Sequence, residues 1–185
     1  MVGDVNQVTA RWGGLLDKGP YITREDAFNG GQSLLIRRGG ASFSGQAIPP
    51  VADKADYQLT FQVFRCNAKA SLIARLLGYK GSFQPELALN ITENGTIRLH
   101  DMRAKKWIVT NQKIKERNWT HIKLLANRRA QTYSVTIKPA GQDERSASAP
   151  VFLAPQTNLR SIVIYPQPPT GSTVLIDEIE LTEFR

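Results

Sequence analysis

The sequence predicts an all-β protein, a sandwich of two antiparallel sheets, and three observations carry that prediction. Leu87, Leu89 and Ile91 alternate with polar residues, and Ile97 and Leu99 resume the alternation beyond Asn94-Gly95. Asn-Gly between two such runs is the strongest short-range hairpin signal, because both residues tolerate the positive φ of a type I′ turn. Tyr57, Leu59, Phe61 and Val63 alternate with Gln58, Thr60 and Gln62, which buries one face of a strand and wets the other. About a dozen short segments of this kind are separated by turn chemistry, and none holds a helical period.

Residues 1–32 are turn-rich, with Gly13-Gly14, Gly19-Pro20 and Gly30-Gly31, and are expected to wrap the sandwich or add an edge strand. Residues 33–185 make the sandwich itself, the whole being one domain, since single all-β sandwiches routinely reach ~200 residues. Short strands are expected at 33–37 and 41–44, joined by Arg37-Arg38-Gly39-Gly40. Ile48-Pro49-Pro50 should close that part, because proline cannot donate into a central ladder. After the strand at 57–63 come 71–77, a loop through Tyr79-Lys80-Gly81, and the hairpin. Strands at 106–110, 119–126 and 131–138 follow, the last carrying Tyr133, Val135 and Ile137 on one side. Strands at 159–165 and 173–182 complete the sheets, with the turn residues 166–171 between them.

Composition limits the chemistry. No apolar run approaches the ~20 residues of a membrane helix, so no membrane insertion is expected. Met1-Val2-Gly3-Asp4 is neither basic nor followed by an apolar stretch, unlike a signal peptide; an excised domain would have lost that information. Cys66 is alone, which rules out an intrachain disulfide, and two histidines with one cysteine argue against zinc. A lone thiol beside a strand is expected to be a small buried apolar group. The net charge is +8, and residues 98–129 hold ten basic side chains against Asp101 and Glu116, which accounts for all of it. Such a block favours an anionic partner through its summed field. Nucleic acid ranks low, since there is no recognition helix, zinc module or RNA-binding aromatic signature.

Four features in this order support a resemblance: residues 31–36 (GQSLLI), the strand at 57–64, Trp119-Thr120-His121-Ile122 before Tyr133-Ser134-Val135, and the closing run 174–181. Together they resemble the concanavalin A-like (laminin-G-like) jelly rolls of lectins and carbohydrate-binding modules, over roughly residues 30–183. The resemblance implies two curved antiparallel sheets and a concave face that commonly holds glycan. It does not by itself imply catalysis.

Candidate site residues follow from the alternation. Trp107 stands among basic residues and can stack a pyranose ring; Tyr79, flanked by glycines and beside Lys80, is a second stacking candidate. Trp119, His121 and Lys123 share one side of their strand, although a tryptophan opening this strand is expected to anchor the core. Arg75, Arg98 and His100 fall on wet faces, and Arg103 and Lys105 precede Trp107. Arginine suits uronate or sulfate because its planar fork bonds bidentately. Glu178 and Glu180, two apart on a strand, meet the same-face condition of a retaining glycosidase, but their order departs from the Glu-x-Asp-x-x-Glu pattern of β-glucanases with this fold. A lyase would need a base such as His100, His121, Tyr79 or Tyr133. Strict alternation turns Asp177 toward the core with Leu175, Ile179 and Leu181, where related jelly rolls suggest a structural calcium; a β-bulge would turn it outward instead. No other cofactor is expected. The expectation is a non-catalytic carbohydrate-binding module for an acidic polysaccharide, extracellular or periplasmic, within or beside a glycan-degrading enzyme. The alternatives are a polysaccharide lyase or glycoside hydrolase of the same fold, and a laminin-G-like adhesion or structural domain.

Overall fold

A computed structural model describes residues 21–23, 27–29, 31, 33–37, 43–51, 55–78, 85–147, 150–154, 159–166 and 173–184. These residues form two antiparallel sheets and no helix. One sheet has eight strands: β1 (Tyr21–Thr23), β2 (Ser33–Arg37), β14 (Thr173–Phe184), β4 (Asp56–Arg65), β9 (Trp119–Asn127), β10 (Thr132–Pro139) and β11 (Arg145–Ser146) in spatial order, with β12 (Val151–Phe152) also on β10. The other has six: β3 (Phe43–Val51), β13 (Leu159–Pro166), β5 (Leu72–Gly78), β6 (Pro85–Ile91), β7 (Thr96–Asp101) and β8 (Lys106–Lys113).

The core is what the alternation requires. Leu59, Phe61 and Val63 of β4 and Ile122 and Leu124 of β9 face Leu72, Leu76, Leu87, Leu89, Ile97 and Leu99 of the six-stranded sheet, all fully buried. Tyr133 crosses that layer: its hydroxyl lies 2.8 Å from the carbonyls of both Ala88 and His100, pinning β10 to β6 and β7. Burial raises the Tyr133 hydroxyl well above the usual tyrosine range, so it is a structural donor rather than a base.

Three local expectations are corrected. The β6–β7 hairpin forms, with Ile91 opposite Ile97, but its turn is not type I′. Gly95 N–H donates to the Thr92 carbonyl (2.8 Å) and Thr92 N–H to Thr96 (3.0 Å), and only Gly95 has positive φ (81°). That is a three-residue loop with a glycine bulge. β3 runs through Pro49 and Pro50 rather than stopping at them, and it can because it pairs only with β13, at the sheet's edge. On β14, Val174 and Ile176 face the core, so Leu175 and Asp177 belong to the outer face. A bulge at Glu178 (φ 48°) then resets the phase, letting Ile179 and Leu181 pack inward.

Candidate functional site

Register fixes what the outer face of the eight-stranded sheet presents. One row across β2, β14, β4 and β9 is Leu35, Leu175, Phe64 and Trp119. The next, across β14, β4, β9 and β10, is Asp177, Gln62, His121 and Lys138. Then come Glu180, Thr60, Lys123 and Thr136. An apolar row thus borders a polar one along the middle of the sheet.

Residues 27–29 close one end of this face. Asp177 holds them there: its carboxylate accepts the N–H groups of Phe28 (3.2 Å) and Asn29 (3.4 Å), and also that of Glu178 (2.8 Å). Phe28 meets Trp119 edge-on with centroids 5.6 Å apart, and Phe64 packs against Trp119 at a tilt, with centroids 5.4 Å apart. Trp119 is therefore on the outer face, half-buried, and not the core anchor expected of it; Thr120 beside it is the residue turned inward. Phe28, Trp119, Gln62, His121, Lys138 and the turn Pro139-Ala140-Gly141 line a cleft of about 280 Å³.

Beside the cleft Glu178 is held by two amides, Asn29 Nδ2 (3.2 Å) and Gln62 Nε2 (3.4 Å), the latter from a residue that lines it. The His121 pKa is lowered, first by burial and then by Lys123, with Lys138 adding to the effect and Glu144 and Glu178 opposing it. At neutral pH the ring is uncharged and offers one donor and one acceptor nitrogen. Lys123 is engaged with Glu144 at 2.9 Å. Charges here are mixed rather than uniformly positive. The cleft can stack a flat ring against Trp119 and bond hydroxyls through Gln62, His121 and Lys138.

Asp177 does not suit a calcium ion as placed. Three N–H donors converge on its carboxylate, where a cation would need bare oxygens. Among the described residues, no group of three or more His, Cys, Asp or Glu side chains is gathered for a metal.

The remaining candidates lie elsewhere. Arg75, Arg98, His100 and Trp107 are on the outer face of the six-stranded sheet, across the sandwich from Trp119 and His121. Arg103 and Lys105 are in the β7–β8 turn, where the Arg103 guanidinium stacks 3.6 Å over the Phe152 ring and Lys105 takes positive φ. Tyr79 lies outside the described residues. The nine ligand candidates read from sequence therefore do not form one site. Of the ten cations in residues 98–129, Arg128 is sealed in an ion pair with Glu86 and takes no part in a surface field. Phe28 and Gln62 were missed. Gln62 was visible as an outward residue of its strand; nothing local marks Phe28, whose place depends on Asp177.

No protein-family model matches the chain, and no curated protein resembles it in sequence. Solved structures do resemble it in fold. Lectin I-B4 from Griffonia simplicifolia is 8% identical, with a TM-score of 0.60, and the match covers 95% of this chain and 97% of the lectin. The alginate lyase from Klebsiella pneumoniae is 7% identical, with a TM-score of 0.55 and 89% and 85% covered. A sialidase is 12% identical over 83% of this chain, with a TM-score of 0.58, and there the chain spans only 16% of the longer protein. Likeness at this identity establishes the fold: the chain is a concanavalin A-like jelly roll. No helix among the described residues is long and apolar enough to cross a membrane.

Proposed function

We propose that this protein is a carbohydrate-binding module that takes sugar in the cleft between Phe28, Trp119 and His121. The observation that carries the reading is the aromatic row set directly against a polar one. Trp119 contacts both Phe28 and Phe64, and Gln62, His121 and Lys138 stand one register step away. A pyranose needs that combination, an apolar face to stack on and polar groups aimed at its edge. The fold likeness to a lectin supports the same reading, and the partial match to a sialidase supports a module inside a longer glycan-active protein, extracellular or periplasmic. Because Lys123 is already paired and Glu178 and Asp177 stand nearby, an acidic preference does not come from this cleft.

The test is affinity electrophoresis against a panel of neutral and acidic polysaccharides, with Trp119→Ala and His121→Ala alongside the parent protein. Retardation by at least one neutral glycan, lost in Trp119→Ala, is the expected result. Binding that ignores both substitutions would place the sugar elsewhere.

One observation favours a second reading, cleavage of glycan at the edge of the same cleft. Glu178 sits in a strained left-handed conformation (φ 48°) with its carboxylate fixed by two amides near an uncharged imidazole, and such strain clusters at reactive sites. Release of reducing ends or unsaturated uronate by the protein, absent in Glu178→Gln, would decide for the enzyme.

A further inference from the structure

The outer face of the six-stranded sheet carries a second arrangement, independent of the cleft and on the opposite side of the sandwich. Register places Val163, Arg75 and Ala88 in one row across β13, β5 and β6, and His100 and Trp107 continue it across β7 and β8, one residue beyond the Leu89–Leu99 pair. The neighbouring row is Tyr165, Ile73, Asn90, Arg98 and Val109. The Arg75 guanidinium lies 5.2 Å from the centre of the Tyr165 ring, and His100 meets Trp107 edge-on at 5.0 Å. Ala88 between Arg75 and His100 is too small to separate them, and the Arg75 charge helps lower the His100 pKa after burial has begun it, with Asp101 opposing. The result is a continuous strip, Tyr165–Arg75–His100–Trp107, crossing five strands, or about 19 Å at the usual ~4.8 Å strand spacing.

Two features say what the strip takes. Among the described residues of these two rows there is no carboxylate; Asp101, beside His100, already accepts the Ala104 N–H at 2.7 Å. Arg75 Nε, moreover, is buried and has no hydrogen-bond partner among the described residues. A buried, unpartnered guanidinium N–H is costly, and turning the fork outward to a carboxylate would relieve it. We propose that this strip is a second binding surface, for a polysaccharide bearing carboxylates, with Arg75 and Arg98 forking the uronates and Tyr165 and Trp107, on the flanking strands, stacking the sugar rings at either end.

Charge density separates this partner from other polyanions. Arg75 and Arg98 stand two strands and two residues apart, about 12 Å between their backbones by standard sheet spacings. That matches a polymer with one charge on each sugar or every second one. Double-stranded DNA carries a charge every ~1.7 Å and calls for many cations along its track. His100, uncharged at neutral pH, adds none.

Biolayer interferometry at low salt tests this with alginate and polygalacturonate as uronate probes. Dextran sulfate, an oligodeoxynucleotide and neutral dextran serve as comparison ligands. Arg98→Gln, at an exposed position, leaves the fold intact, and Arg75→Gln with Arg98→Gln removes both forks. The expected result is binding of a uronate polymer that weakens as salt rises, falls about tenfold or more in the double variant, and persists in Trp119→Ala. Uronate affinity unchanged in the double variant, or loss in Trp119→Ala instead, overturns the strip and leaves the cleft standing. Tighter binding of dextran sulfate or the oligonucleotide than of either uronate polymer overturns the assignment of partner. Retention of uronate binding without any neutral-glycan binding supports the strip and removes the cleft.

Discussion

Arg128 grips Glu86 through two parallel bonds, Nε to Oε1 at 2.8 Å and Nη2 to Oε2 at 2.7 Å, with both side chains sealed from water. The Arg128 N–H also donates to Asp56 (2.7 Å), and its guanidinium lies 5.6 Å from the centre of the Tyr57 ring. The pair therefore bolts the β9–β10 turn of one sheet to the start of β6 in the other. Breaking it from one side strands a buried charge. Glu86→Leu or Arg128→Met alone should cost about 3–5 kcal/mol in urea unfolding, while the double substitution should recover most of that loss. Additive losses would show that the two residues are not coupled.

Gly95 is fixed by what surrounds it. A Cβ there would meet the Ile114 carbonyl oxygen at 2.0 Å and Arg65 Nη1 at 2.6 Å, at a φ of 81°. Neither neighbour can yield easily: Ile114 N–H donates to the Gly95 carbonyl (2.9 Å), and Arg65 is a buried hub donating to the Ala70 (3.0 Å), Ile114 (2.8 Å), Ala68 (3.1 Å) and Glu93 carbonyls. Gly95→Ala should cost more than the ~1–2 kcal/mol of left-handed strain alone. Asn94→Ala, which loses only side-chain bonds to Thr92 and Thr96, should cost about 1 kcal/mol. Equal losses in the two variants would deny the close approach.

Asp177 supports the cleft from behind. Asp177→Ala removes the acceptor for the Phe28 and Asn29 N–H groups, so Phe28 should leave the Trp119 edge. The expected signs are a red-shifted tryptophan emission and weaker cleft binding, with a stability loss of only about 1–2 kcal/mol because the bonds are exposed. Unchanged emission would mean that Phe28 is placed by something else.

What was readable in the sequence divides along a physical line. Strands β7, β9 and β10 were legible because each has one buried face, and period-two alternation reports burial directly; β4 and β6 were legible from the alternation of apolar and polar residues, although their outward residues Thr60, Gln62 and Asn90 are covered as well. The bulge at Glu178 was not, since one extra residue in a strand reverses every assignment before it while leaving the composition unchanged. Trp119 was misplaced because its size suggests a core, yet its phase relative to Thr120 and Ile122 already pointed outward. The division of Arg75, Arg98, His100 and Trp107 from Trp119 and His121 is a property of strand order, and strand order is set by pairings distant in sequence.

Both histidines should make stability depend on pH, and the sign follows from their surroundings. Burial lowers His100, with Arg75 assisting and Asp101 opposing; burial lowers His121, with Lys123 and Lys138 assisting and Glu144 and Glu178 opposing. In the unfolded chain each returns to the ordinary histidine value of about 6.5. Just below that pH the unfolded state binds more protons than the folded one, so stability rises with pH through the window. The contribution is complete above the unfolded value and lost as pH falls through the two lowered folded values. Urea midpoints measured from pH 7.5 down to pH 5 should therefore decline. The double variant His100→Gln with His121→Gln should flatten the decline nearest pH 6, leaving the fall at lower pH to the carboxylates. A wild-type slope identical to that of the double variant would show that neither imidazole resists its proton, and would remove the reason for treating His121 as an uncharged hydrogen-bonding partner in the cleft.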